Sequence, residues 1–171
     1  NGSVWSALGT GTDGQVNAIV VDNSGNVFAG GTFSGAGGVG VDRIAKWNGS
    51  SWSTMGGMDN AVLALALDSN GNLYAGGGFK RTSVGGFPVN GLARWNGGTS
   101  WTGIGVSGST GVVNAIVADG AGNVYVGGTF TTVGITPANY IAKWNGSSWS
   151  ALGSGLSETP YALALDGSGN L

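Results

Sequence analysis

The chain has 171 residues, long enough for a sizeable core, and combines 41% apolar residues with 37 glycines and only 8% charged residues. That apolar content excludes a disordered Gly-rich linker, and the glycines lack the every-third-residue spacing of collagen. A net charge of −2 without a basic run argues against a nucleic-acid surface, and the absence of Cys and His removes thiol nucleophiles, imidazole bases and their metal sites.

Taken in order, the chain repeats itself. The second Trp of a short hairpin motif falls at Trp5, Trp52, Trp101 and Trp149, at intervals of 47, 49 and 48 residues. The plainest copy is Lys143–Leu152; it recurs at Lys46–Met55, at Arg94–Ile104 with one extra residue, and truncated at Asn1–Leu8. Asn-Gly between two β-prone runs is a strong hairpin signal, because a tight primed turn needs positive φ. With Gly146-Ser147 as the turn, Trp144 faces Trp149 and both indoles share one side.

Between hairpins each unit predicts three more strands. Strand one is Val16–Val21, Val62–Leu67, Val112–Ala118 and Tyr161–Leu165. Strand two, with its Gly pair, is Val27–Phe33, Leu73–Phe79 and Val124–Phe130. Strand three is Arg43–Trp47, Leu92–Trp95 and Tyr140–Trp144. No window holds a 3.6-residue apolar period, so no helix is expected. In Leu63-Ala64-Leu65-Ala66-Leu67 large side chains alternate with small ones, which suits stacked sheets rather than a sheet with one wet face.

Four short antiparallel strands every 48 residues or so predict an all-β fold, a β-propeller of four-stranded blades with about 3.5 blades in this sequence. The expected units are a strand four at 1–9, blades at 15–56, 61–105 and 112–153, and the start of another at 160–171. The blades are cut out of phase, so the expectation is a chain longer at both ends, or else copies that assemble. No signal peptide is visible, and no run of 18 apolar residues predicts a membrane span.

The phrases Val16–Phe33 and Asn139–Trp149 resemble the delta-sixty class of bacterial propeller repeats and the related repeats of fungal Rax-type cell-polarity landmark proteins. The resemblance covers essentially the whole chain. It implies a secreted or surface-exposed propeller and brings no catalytic residues with it.

Spacing separates a rigid part from a variable one. From the turn Asp to the strand-two Phe is 11 residues in every complete copy (Asp22 to Phe33, Asp68 to Phe79, Asp119 to Phe130). From that Phe to the strand-three Trp is 14, 16 and 14 residues, and from the strand-four Trp to the next Asp 17, 16, 18 and 17. In an up-and-down blade this variation falls on one face, where binding is expected. The candidate contact residues there are Lys80, Arg81 and Phe87 in the longest loop, with Asp42, Arg43 and Tyr140, and beyond them Asp59 and Glu158.

Other motifs are weighed and set aside. Three Trp pairs, Trp47/Trp52, Trp95/Trp101 and Trp144/Trp149, suggest sugar platforms, but a structural role between strands is the preferred reading. The turns Asp22–Asn26, Asp68–Asn72, Asp119–Asn123 and Asp166–Asn170 open like a calcium loop without its closing carboxylate, so no metal site is expected. Gly9–Gly14 and Gly103–Gly108 match G-x-G-x-x-G, yet a strand follows each, not the helix that holds phosphate. Asn1, Asn48 and Asn145 begin Asn-Gly-Ser sequons, and Asn48 and Asn145 stand as candidate glycosylation sites. Glu158 is the only Glu and has no partner for glycosidase chemistry. The expectation is a non-enzymatic extracellular or cell-surface scaffold, adhesion or filament component without cofactor, meeting a protein or its own copies through the variable loops. A multivalent carbohydrate-binding propeller is the alternative.

Overall fold

The computed structural model describes residues 4–104 and 111–171. Among these, every regular element is a β-strand. The first repeat holds β1 (Val16–Val21), β2 (Val27–Gly31), a small pair β3 (Gly35–Ala36) and β4 (Val39–Gly40), then β5 (Ile44–Trp47) and β6 (Trp52–Thr54). The second holds β7 (Val62–Leu67), β8 (Leu73–Gly77), β9 (Leu92–Gly97) and β10 (Ser100–Gly103). The third holds β11 (Val113–Ala118), β12 (Val124–Gly128), the small pair β13 (Thr132–Val133) and β14 (Thr136–Pro137), then β15 (Ile141–Trp144) and β16 (Trp149–Ala151). Each repeat folds into one antiparallel four-stranded meander: β1-β2-β5-β6, β7-β8-β9-β10 and β11-β12-β15-β16.

The three sheets pack in sequence, with their first strands β1, β7 and β11 side by side. The alternation in β7 sets this arrangement. Leu65 and Leu67 turn toward the first sheet, into a core with Phe28, Ile44, Ala18 and Val20. Ala64 and Ala66 turn the other way and receive Ile116 of the third sheet. Large side chains of β7 and β11 thus meet small ones of the sheet before, which lets the sheets approach closely.

Each Gly pair meets two different demands. A Cβ on Gly31, Gly77 or Gly128 would collide with the carbonyl oxygen of Gln15, Ala61 or Val112, at the bulge that opens each first strand. A Cβ on Gly76 would instead lie 2.6 Å from Val113 Cγ1 and 2.8 Å from Ile116 Cδ1 of the next sheet. The first glycine of the pair admits the neighbouring repeat, and the second admits its own backbone.

Several strand limits differ from the sequence reading. Strand two stops at the second glycine, so Phe33, Phe79 and Phe130 leave the ladder and bury themselves instead. Arg43 and Tyr140 lie outside strand three because their φ angles are 71° and 64°, a left-handed geometry that no strand accommodates. Neither 161–165 nor 4–8 is a strand; no described segment pairs with either, and a lone extended run has no ladder to join. Residues 1–3 and 105–110, which include the sequon at Asn1 and the end of the second G-x-G-x-x-G, lie outside the described residues. The small pairs β3–β4 and β13–β14 were not foreseen. Gly37 and Gly38 with φ of 59° and 82° mark the first as a tight primed turn, a signal that a Gly-Gly step carries.

Gly77→Ala is expected to destabilise the chain by about 3 kcal/mol or more, because backbone must move, and Gly76→Ala by about 1–2 kcal/mol, because side chains can yield. Urea denaturation of the two variants against the parent chain checks the order.

Candidate functional site

The hairpins form as their residues dictate. Trp47 pairs with Trp52 and Trp144 with Trp149, their ring centroids 5.5 and 5.3 Å apart. Gly49 and Gly146 supply the positive φ, 98° and 95°. Asn48 and Asn145 close their own turns: each Oδ1 accepts from the backbone N–H groups two and three residues on, at 2.8–3.0 Å. Both sequon asparagines are exposed. The third hairpin departs from the other two. Its extra residue becomes a bulge between Ser100 and Trp101, and Trp95 packs edge-on against Phe28 of the first sheet, centroids 5.9 Å apart. Among the described residues, Trp95 and Trp101 make no ring pair, so the expected third indole pair is corrected to an inter-repeat contact.

The strand-four indoles are structural ties. Trp52 Nε1 donates to the Leu8 carbonyl at 2.8 Å, Trp101 Nε1 to Met55 at 2.7 Å and Trp149 Nε1 to Ile104 at 2.8 Å. Each acceptor stands three residues beyond the corresponding Trp of the repeat before. Trp47, Trp52 and Trp101 are buried, leaving no open indole face there for a sugar ring. Trp5, the first of the series, is fully exposed.

The Asp turns are likewise self-satisfied. Asp22, Asp68, Asp119 and Asp166 each accept two backbone N–H bonds at Oδ1 and an Asn Nδ2 bond at Oδ2. The Asn26 and Asn170 side chains, before the backbone N–H groups, hold the Asp22 and Asp166 carboxyls below the usual range. At Asp119 partial burial pushes upward, but the bonds from Asn123 and Ala121 outweigh it. Burial, then the Asp68 charge, pushes the Tyr74 hydroxyl up to about 12. Three of these turns border a shallow hollow of about 310 Å³ around Asp22, Asp68 and Asp119. Among the described residues no three acidic groups are placed to share a metal ion.

At the loop side, acidic residues tie connectors to loops. Asp13 accepts from Ser34 N, Gly35 N and Ser34 Oγ at 2.7–2.9 Å, and the Gly35 bond leads in lowering its pKa. Asp59 accepts from Lys80 N at 2.8 Å, so a nominated contact residue serves as a clamp. Beside the Asp13 clamp, Thr10, Thr12, Ser34 and Val39 line an open hollow of about 450 Å³.

The nominated residues are distributed one loop at a time. Arg43 donates to the Met58 carbonyl at 2.9 Å and stands 4.0 Å from Asp42. Gly91 holds the corresponding left-handed position in the second repeat, and Tyr140 in the third. Tyr140 lines a hollow of about 310 Å³ with Glu158 and Tyr161. Lys80, Arg81 and Phe87 share the second loop, where Arg81 Nη1 donates to Gly86 O at 2.9 Å.

Sequence reasoning nominated Phe87 but missed two other apolar loop residues, Val84 and Ile135. Val84 and Ile135 both stand five residues past the strand-two Phe, and they are 56% and 100% exposed; Phe87, beside Val84, is 63% exposed. The small pair β13–β14 and the Arg81–Pro88 bridge close the loops that carry these tips. Apolar residues at matching loop positions in two repeats were a readable signal. Their exposure was not.

Trp101→Phe is expected to cost about 1–3 kcal/mol, because the Met55 carbonyl loses its buried donor, whereas Trp5→Phe should change stability by less than about 0.5 kcal/mol. Urea titration followed by circular dichroism checks both. The lowered carboxyls predict an acid limb. Their folded pKa values lie below the ordinary 3.8, so their contribution is complete above that pH and is lost as pH falls through the folded values. The urea midpoint should hold from neutrality to about pH 5 and then decline, with a shallower decline in Asp119→Asn. No family model and no curated protein matches the sequence, so the geometry alone bears on what the loop face does.

Proposed function

We propose that the chain is part of a non-enzymatic β-propeller, extracellular or at the cell surface, that works as a scaffold or adhesion component through its loop tips. Consecutive four-stranded meanders, packed large side chain on small with their first strands adjacent, support the propeller architecture. The low charge supports close packing with a partner, since little like-charge repulsion opposes it. The resemblance to surface-exposed propeller repeats supports the location.

The observation that carries the function is the pair of exposed apolar tips at matching loop positions, Val84 and Ile135, with Phe87 alongside, on loops closed by backbone pairing. A side chain such as Ile135 that is wholly in water adds nothing to the fold. On a clamped loop it offers apolar area to a protein partner or a second copy at little ordering cost.

Beads coated with the chain should adhere to one another, and Val84→Ser/Phe87→Ser/Ile135→Ser should weaken that adhesion by about tenfold, the factor that roughly 1.4 kcal/mol of lost contact produces. A glycan array probed with the same labelled chain should stay silent. Saturable glycan binding retained by the triple variant would transfer the reading to the carbohydrate-binding alternative.

A further inference from the structure

Asn is followed by Gly five times among the described residues, at Asn48, Asn70, Asn90, Asn96 and Asn145. Such a step is chemically soft, because the glycine backbone N attacks the asparagine Cγ with no side chain in the way and closes a five-membered imide. All five asparagines are exposed, so access of water does not separate them. Their hydrogen bonds do.

At two of the five, the groups this reaction needs are all in place. Asn48 Oδ1 accepts from Ser50 N at 3.0 Å, Ser51 N at 2.9 Å and the Ser50 hydroxyl at 3.0 Å. Asn145 Oδ1 accepts from Ser147 N at 3.0 Å, Ser148 N at 2.8 Å and the Ser147 hydroxyl at 3.0 Å. These donors surround the oxygen on which negative charge develops as the ring closes, the role of an oxyanion hole. The nucleophile is uncommitted, since Gly49 N and Gly146 N donate to no described acceptor. Every side-chain bond of Asn48 and Asn145 ends on Oδ1, which leaves Nδ2 to water as the departing group.

The other three steps lack this arrangement. Gly71 N donates to the Asp68 carbonyl at 3.0 Å and Gly91 N to the Phe79 carbonyl at 2.7 Å, so both nucleophiles are held in bonds. At Asn96 it is Nδ2 that is committed, to Thr102 Oγ1 at 2.6 Å. No described donor reaches Oδ1 of Asn70, Asn90 or Asn96.

We propose that Asn48 and Asn145 are self-modifying sites, at which the hairpin turn promotes loss of the side-chain amide. Gly49 N gives up its proton and bonds to Asn48 Cγ, the Cγ–Nδ2 bond breaks, and Nδ2 leaves with that proton as ammonia. Gly146 and Asn145 do the same. Water then opens the imide at either carbonyl, giving an aspartyl or an isoaspartyl link and adding one negative charge. The aspartyl product keeps the acceptor on which the turn is built. The isoaspartyl product lengthens the backbone in the turn that sets Trp47 opposite Trp52 and Trp144 opposite Trp149, and so loosens the hairpin with age. The hairpins do this whatever the loop tips meet.

The test is peptide mapping by tandem mass spectrometry of the full chain held in mildly alkaline buffer, folded and in urea. In urea the five steps should react at similar rates, since each is the same dipeptide. In the folded chain Asn70, Asn90 and Asn96 should slow by at least about tenfold, while Asn48 and Asn145 react no more slowly than in urea. Ser50→Ala/Ser51→Ala, at exposed positions, removes the hydroxyl donors and should slow Asn48 by about threefold relative to Asn145 in the same molecule. Folding that slows Asn48 and Asn145 as much as the other three would overturn the proposal. So would a Ser50→Ala/Ser51→Ala chain in which the two sites keep their parent ratio.

Discussion

One bond recurs between consecutive repeats. An indole N–H must reach the carbonyl three residues past the indole of the preceding repeat, and it does so at Trp52, Trp101 and Trp149 within 2.7–2.8 Å. At Trp101 the bond is buried, and the Met55 carbonyl without that donor would stand unsatisfied in an apolar core. Insertions are tolerated only where they do not move these two atoms. The two extra residues between Phe79 and Trp95 enter a solvent loop, and the extra residue of the third hairpin becomes a bulge at Ser100.

Around this tie, the sheets meet by size. Leu65 of β7 and Ile116 of β11 enter a surface lowered by alanines and glycines on the sheet before, which allows close approach. One asparagine joins the same seam: Asn17 Nδ2 donates to the Val62 carbonyl at 2.9 Å. The charged groups stay outside the seam or lie over rings, as Lys46 does at 5.5 Å from the Phe28 centroid and 5.7 Å from that of Trp95.

The two ends of the sheets differ in what they can offer. At the Asp turns, every carboxylate is consumed by its own loop, so the end is acidic in composition yet has little hydrogen-bonding capacity to spare. At the loop end, Asp13 and Asp59 fasten the connectors and the tips project apolar side chains. Placing variable loops on one face from spacing alone anticipated the side on which these tips lie. It also nominated Asp59 and Arg43 as contacts, whereas the structure uses the first carboxylate as a clamp and bonds the second guanidinium to the Met58 carbonyl. Spacing cannot separate a residue that grips its own chain from one that faces a partner, because both prefer the same polar loops.

What the sequence determined by itself is what closes over a few residues. The Asp166–Asn170 turn makes the same three bonds as its relatives although the run before it joins no sheet, since donor and acceptor lie within five residues. The Asn-Gly hairpins and the size alternation of β7 were legible for the same reason. Tertiary structure decided the rest: that Trp95 leaves Trp101 for Phe28, that Arg43 and Tyr140 take left-handed geometry, and that Ile135 meets water. Each of these depends on a neighbour distant in the chain or on which surface another repeat covers, and a one-dimensional pattern holds neither quantity.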